Sequence, residues 1–407
     1  MCGVPWRNIL APACLAACAV ALLIFLLALP AHVVHGDIEA NNVMAAHHFY
    51  HGGIPRSGLT ERGGYHPFYP MVLSCAFAAE RHGMHVVFRA GLLLNWLLWI
   101  AALGLMWYTY GRTMRHAAPL VLLITLWSAS WSYTTVLYSE TLFMVWLVVT
   151  WAWHKHVAMR DEWSALCGLG VWSGFGYAVR PVGIIVWLAL TVVMAVQTRS
   201  LRRVLCVIVG GAAGMTAAIA LVSAARGEGL HLTSYMLPRE IRGCDAMRYA
   251  ARAVLAFVRN IQSGIVESYG LIVLAPLCML RTPARRVSWE PVLWFGAWLL
   301  ASVCAGLVVA CYPVYQPAFL VTRYTTPFVV LTAIACVPVL TELDTPRPWL
   351  VISVILVAVA AWCMPSHDAR LIDNLSVAWW QYGAAPWSKM TAVVVSLLAC
   401  LCIIRFR

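Results

Sequence analysis

Two carboxylates stand just beyond the first long apolar run of this chain, Asp37 and Glu39 in His35-Gly36-Asp37-Ile38-Glu39. Carboxylates beside hydrocarbon are costly, so a pair at the mouth of a span points to chemistry at one membrane face. Further along, Arg89, Glu140, Arg180 and Arg323 each fall near the end of an apolar run. A guanidinium stays charged in a half-buried place and grips phosphate oxygens in pairs, which makes Arg180 and Arg323 the candidate phosphate ligands. Tyr324 is a further hydrogen-bond donor beside Arg323, and reads equally as an interfacial aromatic. The histidines form a third set: His47 and His51 are one helical turn apart, with His35, His48 and His66 near in sequence. No HExxH pattern or Cys/His cluster accompanies them, so the sequence alone completes no transition-metal site.

The elements that must position these residues are membrane helices. Of 407 residues, 62% are hydrophobic and 11% charged, and the mean hydropathy is +0.79, well outside the range of soluble domains. Apolar runs long enough to cross hydrocarbon recur between Arg, His, Pro and Gly clusters. The expected fold class is therefore an all-α polytopic membrane protein, with about 12 transmembrane helices and outward-facing juxtamembrane helices. Spans are expected near 9–33, 86–110, 117–134, 138–154, 164–179, 182–197, 203–224, 269–281, 291–311, 325–341, 349–363 and 389–404. The first run is longer than the apolar core of a signal peptide and is expected to be an uncleaved span. Trp131, Trp151, Trp153, Trp163 and Trp387 fall near span ends and suggest interfacial belts.

Short basic connections at every second position (Arg112 and Arg115; Lys155 and Arg160; Arg199, Arg202 and Arg203; Arg281, Arg285 and Arg286; Arg347) predict cytoplasmic termini. Asp37, Arg89, Glu140, Arg180 and Arg323 then share the outward face. The formal charge of +12 comes from residues scattered over span ends, without the clustered basic domain that nucleic acid requires. Fourteen cysteines, among them Cys14, Cys18, Cys206, Cys304, Cys336 and Cys400 within spans, read as small packing residues instead of a disulfide framework.

Two outward loops exceed what connection needs. In 34–85 the pattern predicts a surface helix over 40–50, whereas Tyr65-His66-Pro67-Phe68-Tyr69-Pro70 is not expected to continue a helix. In 225–268, Arg248, Arg252 and Arg259 share one side of a helix over 245–262 that is otherwise largely apolar. That pattern predicts a helix lying in the membrane interface with its arginines toward lipid phosphates.

Taken in order, these segments resemble a known family. Gly36-Asp37-Ile38-Glu39 is followed by Tyr65 to Pro70, Arg89, Tyr110-Gly111-Arg112 and Tyr138-Ser139-Glu140-Thr141-Leu142-Phe143. Gly168 to Gly176, Arg180-Pro181-Val182-Gly183 and Arg323-Tyr324-Thr325-Thr326-Pro327 come next. The series, over residues 9 to about 330, resembles the polytopic glycosyltransferases of the GT-C fold, the broad group of protein and lipid-A glycosyltransferases and GPI-type mannosyltransferases. The resemblance implies residues 1–330 as a transmembrane catalytic module that includes loops 34–85 and 225–268, followed by C-terminal transmembrane helices over 331–407. It further implies a sugar donor on polyprenyl or dolichyl phosphate, and transfer to an acceptor hydroxyl on the outer or lumenal side of a bacterial inner membrane or endoplasmic reticulum.

Such a transfer, by a hexosyl- or pentosyltransferase working through single displacement with inversion, needs a base for the acceptor proton and positive charge for the leaving phosphate. The resemblance maps the essential carboxylate onto Asp37, with Glu39 in a supporting position. Glu140 either orients an arginine, helps hold a metal or touches sugar hydroxyls, or is a span-end carboxylate paired with a nearby arginine. Tyr65, His66 and Arg89 belong to the segment that would face substrate. No cofactor is required by the pattern; a divalent cation, Mg or Mn, held by Asp37 and the donor phosphate is the option left open. Expected partners are membrane lipids and the lipid-phosphate-linked donor, with the acceptor open. A transporter or flippase of a lipid-linked substrate is the alternative, but it would place ionisable residues near the midplane in two repeated halves, and no repeat is seen.

Overall fold

The computed structural model describes residues 37–53, 66–111, 139–157, 162–226, 246–267, 290–310 and 328–336, with scattered positions between 16 and 27 and between 351 and 359, and at 137, 272, 325 and 394. Among them every regular element is a helix. In chain order these are α1 (Asp37–Tyr50), α2 (Phe68–Leu73), a 3-10 helix (Ser74–His82), α3 (Met84–Gly111) and α4 (Glu140–Val157). There follow α5 (Trp163–Val179), α6 (Gly183–Thr198), α7 (Leu201–Arg226), α8 (Ala246–Glu267) and α9 (Glu290–Ala310). Met84–Thr109, Leu201–Ala225 and Glu290–Leu307 are each long and apolar enough to cross a membrane. The expected spans at 86–110, 138–154, 164–179, 182–197, 203–224 and 291–311 all coincide with helices, whereas 117–134 and, but for residues 272 and 394, 269–281 and 389–404 lie outside the described residues.

The predicted surface helix over 40–50 is α1, which begins three residues earlier. As expected, the aromatic and proline segment does not continue α1, which ends at Tyr50, but it opens a helix of its own. Pro67 caps α2 and Pro70 falls in its first turn, where a missing N–H breaks no helical bond. The 3-10 helix ends at Gly83, whose φ of 101° only glycine adopts readily. Its N–H closes on the Glu80 carbonyl at 2.8 Å while its own carbonyl accepts from Val86 at 3.0 Å, so α3 restarts at once in a new direction.

Helices α5 and α7 cross backbone to backbone through small residues. A Cβ on Gly170 would stand 2.7 Å from the Val207 carbonyl oxygen, and Gly174, Gly210 and Gly214 likewise face backbone across the seam. Small residues at such a crossing let dispersion act at full strength where hydrocarbon offers no hydrophobic drive. Gly174→Val therefore overpacks the seam and lowers stability by about 1–3 kcal/mol or more; a fall in the apparent melting temperature in detergent, absent for Val at Gly104, where a Cβ meets nothing within 4 Å, checks it.

The core between α3, α4, α5 and α9 is aromatic. Trp146, Trp151, Trp294, Trp298, Phe143 and Phe328 are fully or almost fully buried. Phe143 stacks on Trp146 at 5.5 Å, Trp146 donates to the Trp172 carbonyl at 3.2 Å, and Trp172 donates to the Thr150 hydroxyl at 3.1 Å. Trp151 is accordingly a core residue and no part of an interfacial belt: its Nε1 donates to Glu290 Oε1 at 3.0 Å. Lys155 forms an ion pair with the same carboxylate, tying the end of α4 to the start of α9. Trp163 does match a span end, with the Arg202 guanidinium over its ring.

Helix α8 is the amphipathic helix expected over 245–262, and the structure shows what it packs against. It runs antiparallel along α9, with the Tyr249 hydroxyl donating to the Leu307 carbonyl at 3.1 Å and the Asn260 amide to the Ser302 carbonyl at 3.4 Å, and with Gly264 set against Trp298. One face is buried on α9, through Ala256 and Asn260, while Met247, Val254 and Val258 form an exposed apolar face. The periodicity gave the helix but not what its faces meet, because lipid and a neighbouring helix both accept apolar side chains.

Candidate active site

The site is built where α4 begins and α5 ends. Glu140 is the first residue of α4, whose first turn closes through Phe143 N–H on the Ser139 carbonyl at 2.9 Å. A carboxylate there also faces the positive end of the helix dipole. Arg180 leaves α5 because Pro181 follows it: the proline ring excludes helical geometry for the preceding residue, and Arg180 is extended at φ −157° and ψ 147°. Its N–H still closes α5 on the Gly176 carbonyl, and its carbonyl accepts from Gly183 to open α6, both at 2.9 Å. The turn is tight enough that a Cβ on Gly183 would strike the Gly176 backbone.

This turn aims Arg180 at Glu140. Their side chains meet at 2.9 Å between Nη1 and Oε1, 3% and 0% exposed, and the guanidinium lies 6.0 Å from the centre of the Phe143 ring. A contact with a nearby arginine is common to both readings the sequence left for Glu140, the carboxylate that orients an arginine and the span-end carboxylate paired with one, and the partner is Arg180. Such a buried pair is held at a desolvation cost, and fixes the mutual position of α4 and α5.

The first loop is tied to the same corner. The Asn42 amide of α1, itself buried, donates to the Leu137 carbonyl at 2.9 Å, three residues before Glu140. The Tyr69 hydroxyl of α2 donates to Asn95 of α3 at 3.1 Å. His66 stands edge-on to Tyr177 at 6.0 Å, and Phe68 edge-on to Phe175 at 5.4 Å, so the segment that opens α2 rests on the last turns of α5. From the other end of the chain, Phe328 reaches Phe143 at 6.5 Å, and Thr325 is buried.

Asp37 and Glu39 occupy the first turn of α1, the helix that Asn42 anchors; the positions of their side chains lie outside the described residues, as do Tyr65, Arg323 and Tyr324. Arg89 is exposed on the first turns of α3. The structure thus brings Glu140 and Arg180 into contact and docks α1 and His66 around them. Sequence reasoning missed Asn42, whose type and place resemble any polar residue on a surface helix, and Glu290, whose partner Lys155 is 135 positions away.

No family model matches the sequence, and no curated protein matches it. Among solved structures the chain is similar to ArnT from Cupriavidus metallidurans in the apo state, with a TM-score of 0.51 and 16% identity over 97% of this chain and 77% of that one. At that identity the likeness shows the fold, a polytopic membrane chain of the GT-C type, the fold that the ordered motifs implied.

Proposed function

We propose that this chain is a membrane glycosyltransferase that moves a sugar from a polyprenyl- or dolichyl-phosphate donor to an acceptor hydroxyl at the outer or lumenal face. ArnT is a lipid-A aminoarabinose transferase of the GT-C fold, and the shared fold supports the reaction class. The observation that carries the reading is the docking of α1, headed by Asp37, three residues from the buried Glu140–Arg180 pair. Asp37 and Asn42 are five residues apart in one helix, roughly 7.5 Å along its axis. That short separation along α1 supports Asp37 as the base beside the Glu140–Arg180 corner.

The chemistry is a single displacement. Asp37 takes the proton of the acceptor hydroxyl as its oxygen forms a bond to the anomeric carbon; the bond from that carbon to the phosphate oxygen breaks, and the lipid phosphate leaves with the electron pair. Configuration inverts. Developing charge on the phosphate needs fixed cations. Glu140 neutralises and orients Arg180, so net positive charge must come chiefly from Arg323, which the chain holds within about 18 Å of Phe328 even if fully extended. Glu39 supports Asp37, and Tyr324 donates to the phosphate. Tyr65, His66 and Arg89 belong to the substrate-facing segment. A divalent cation, if used, would be a hard ion between Asp37 and the phosphate.

The test is a reconstituted assay that follows cleavage of a lipid-phosphate-linked sugar. Donor cleavage coupled to acceptor glycosylation supports the assignment; movement of intact donor across the bilayer without cleavage indicates a flippase and contradicts it. In the same assay Arg323→Ala should raise the donor KM at least about tenfold, since charge-assisted hydrogen bonds contribute about 1.5–3 kcal/mol. Unchanged KM and turnover would remove Arg323 from the phosphate site.

A further inference from the structure

The histidines of the first loop acquire a third partner only in the folded chain. His47 lies in the last turn of α1, and the helical bond from the His51 N–H to the His47 carbonyl, 3.1 Å, carries the turn on so that both rings leave on one side. The 3-10 helix brings Glu80 against them. Its two oxygens divide between the rings, His47 Nε2 to Oε1 at 3.1 Å and His51 Nε2 to Oε2 at 2.8 Å. One donor atom from each of the three residues falls within 4.8 Å of the others.

Ligands on a tetrahedral ion at about 2.0–2.1 Å stand about 3.3 Å apart. The observed spacings require only small side-chain adjustments to reach that value. The rings are tilted by 59° with centres 4.5 Å apart, so their nitrogens converge where stacking would have set them side by side. Phe77, buried beneath, meets the His47 ring edge-on at 5.4 Å, and Tyr50 meets His51 at 5.2 Å. All three side chains are 30–52% exposed, which leaves an entry path from solvent.

We propose that His47, His51 and Glu80 form a binding site for a borderline divalent transition-metal ion of the Zn2+ type. Two imidazoles and one carboxylate favour such an ion over Mg2+ or Mn2+, which sets this site apart from a hard ion at Asp37 and a donor phosphate. Three protein ligands leave a coordination position open toward solvent. Occupancy clamps the last turn of α1 to the 3-10 helix, and so braces the helix whose first residue is Asp37. The site does not depend on the transferase reading: metal binding and sugar transfer are separate measurements.

The probe is Co2+ titrated into the full chain, purified without a histidine tag in detergent and followed by visible absorption, with Zn2+ as competitor. One saturable equivalent displaced by Zn2+ is expected. His47→Ala and Glu80→Gln should each weaken it at least about tenfold, the lower end of what even an outer-shell partner contributes, while His48→Ala leaves it unchanged. Absence of saturable binding in the unaltered chain overturns the proposal. So does an unchanged affinity and spectrum in His47→Ala and Glu80→Gln, which would place the bound ion elsewhere.

Discussion

Arg180→Ala should lower the stability of the solubilised protein by about 3–5 kcal/mol, at the high end of what a single substitution costs. The reason is the partner left behind. Glu140 is almost fully buried at the head of α4, and without the guanidinium its charge has lost the group that met it at 2.9 Å. Glu140→Ala acts from the other side and should cost a similar amount. The pair is not by itself a source of net stability, because both charges were desolvated to form it. Glu140→Leu with Arg180→Met should therefore recover much of the loss, as an apolar replacement strands no charge. Thermal unfolding in detergent across the two single variants and the double variant separates the effects. If the single variants melt with the unaltered protein, the buried pair has no structural role.

The second large effect concerns catalysis. Asp37→Asn keeps the size of the side chain and the helical start of α1, but it cannot accept a proton at physiological pH. General-base catalysis contributes typically about 10²–10⁴-fold, so turnover should fall by that factor with little change in folding. Asn42→Ala offers a contrast. It keeps the base and removes the amide that anchors α1 to the Leu137 carbonyl. A loss of activity there, accompanied by a loss of stability, would report positioning, whereas Asp37→Asn should lose activity alone.

Much of the fold was legible because membrane helices announce themselves by apolar length. Met84–Gly111, Leu201–Arg226 and Glu290–Ala310 each follow from a run bounded by charge or glycine. The Arg180 turn was legible too, since Pro181 forces its residue out of the helix. What each helix touches was not. The amphipathic pattern over 246–267 predicts a helix but names no partner for it, and the Tyr249 and Asn260 bonds to α9 appear only in the fold. Trp151 looked like a belt residue by its place near a span end; its indole N–H instead answers a buried carboxylate from a helix 139 positions away.

The candidate site shows the same division. Residue types identified Glu140 and Arg180 separately, but their contact depends on how α4 and α5 pack, which no local pattern encodes. His47 and His51 were visible at helical spacing, and were set aside for want of a third ligand. Glu80 supplies it from a 3-10 helix whose course depends on Gly83 and on packing against α1. Long-range partners of this kind arise from tertiary geometry, so a motif search along the chain passes over them.

The account turns on Asp37 as the base of a sugar transfer, and one measurement reaches it directly: single-turnover transfer of labelled sugar from lipid-phosphate donor to acceptor by the reconstituted chain and by Asp37→Asn. The account predicts transfer by the unaltered chain, and at least about 10²-fold slower transfer by a variant that folds and inserts equally well. Transfer at the unaltered rate by Asp37→Asn would contradict it.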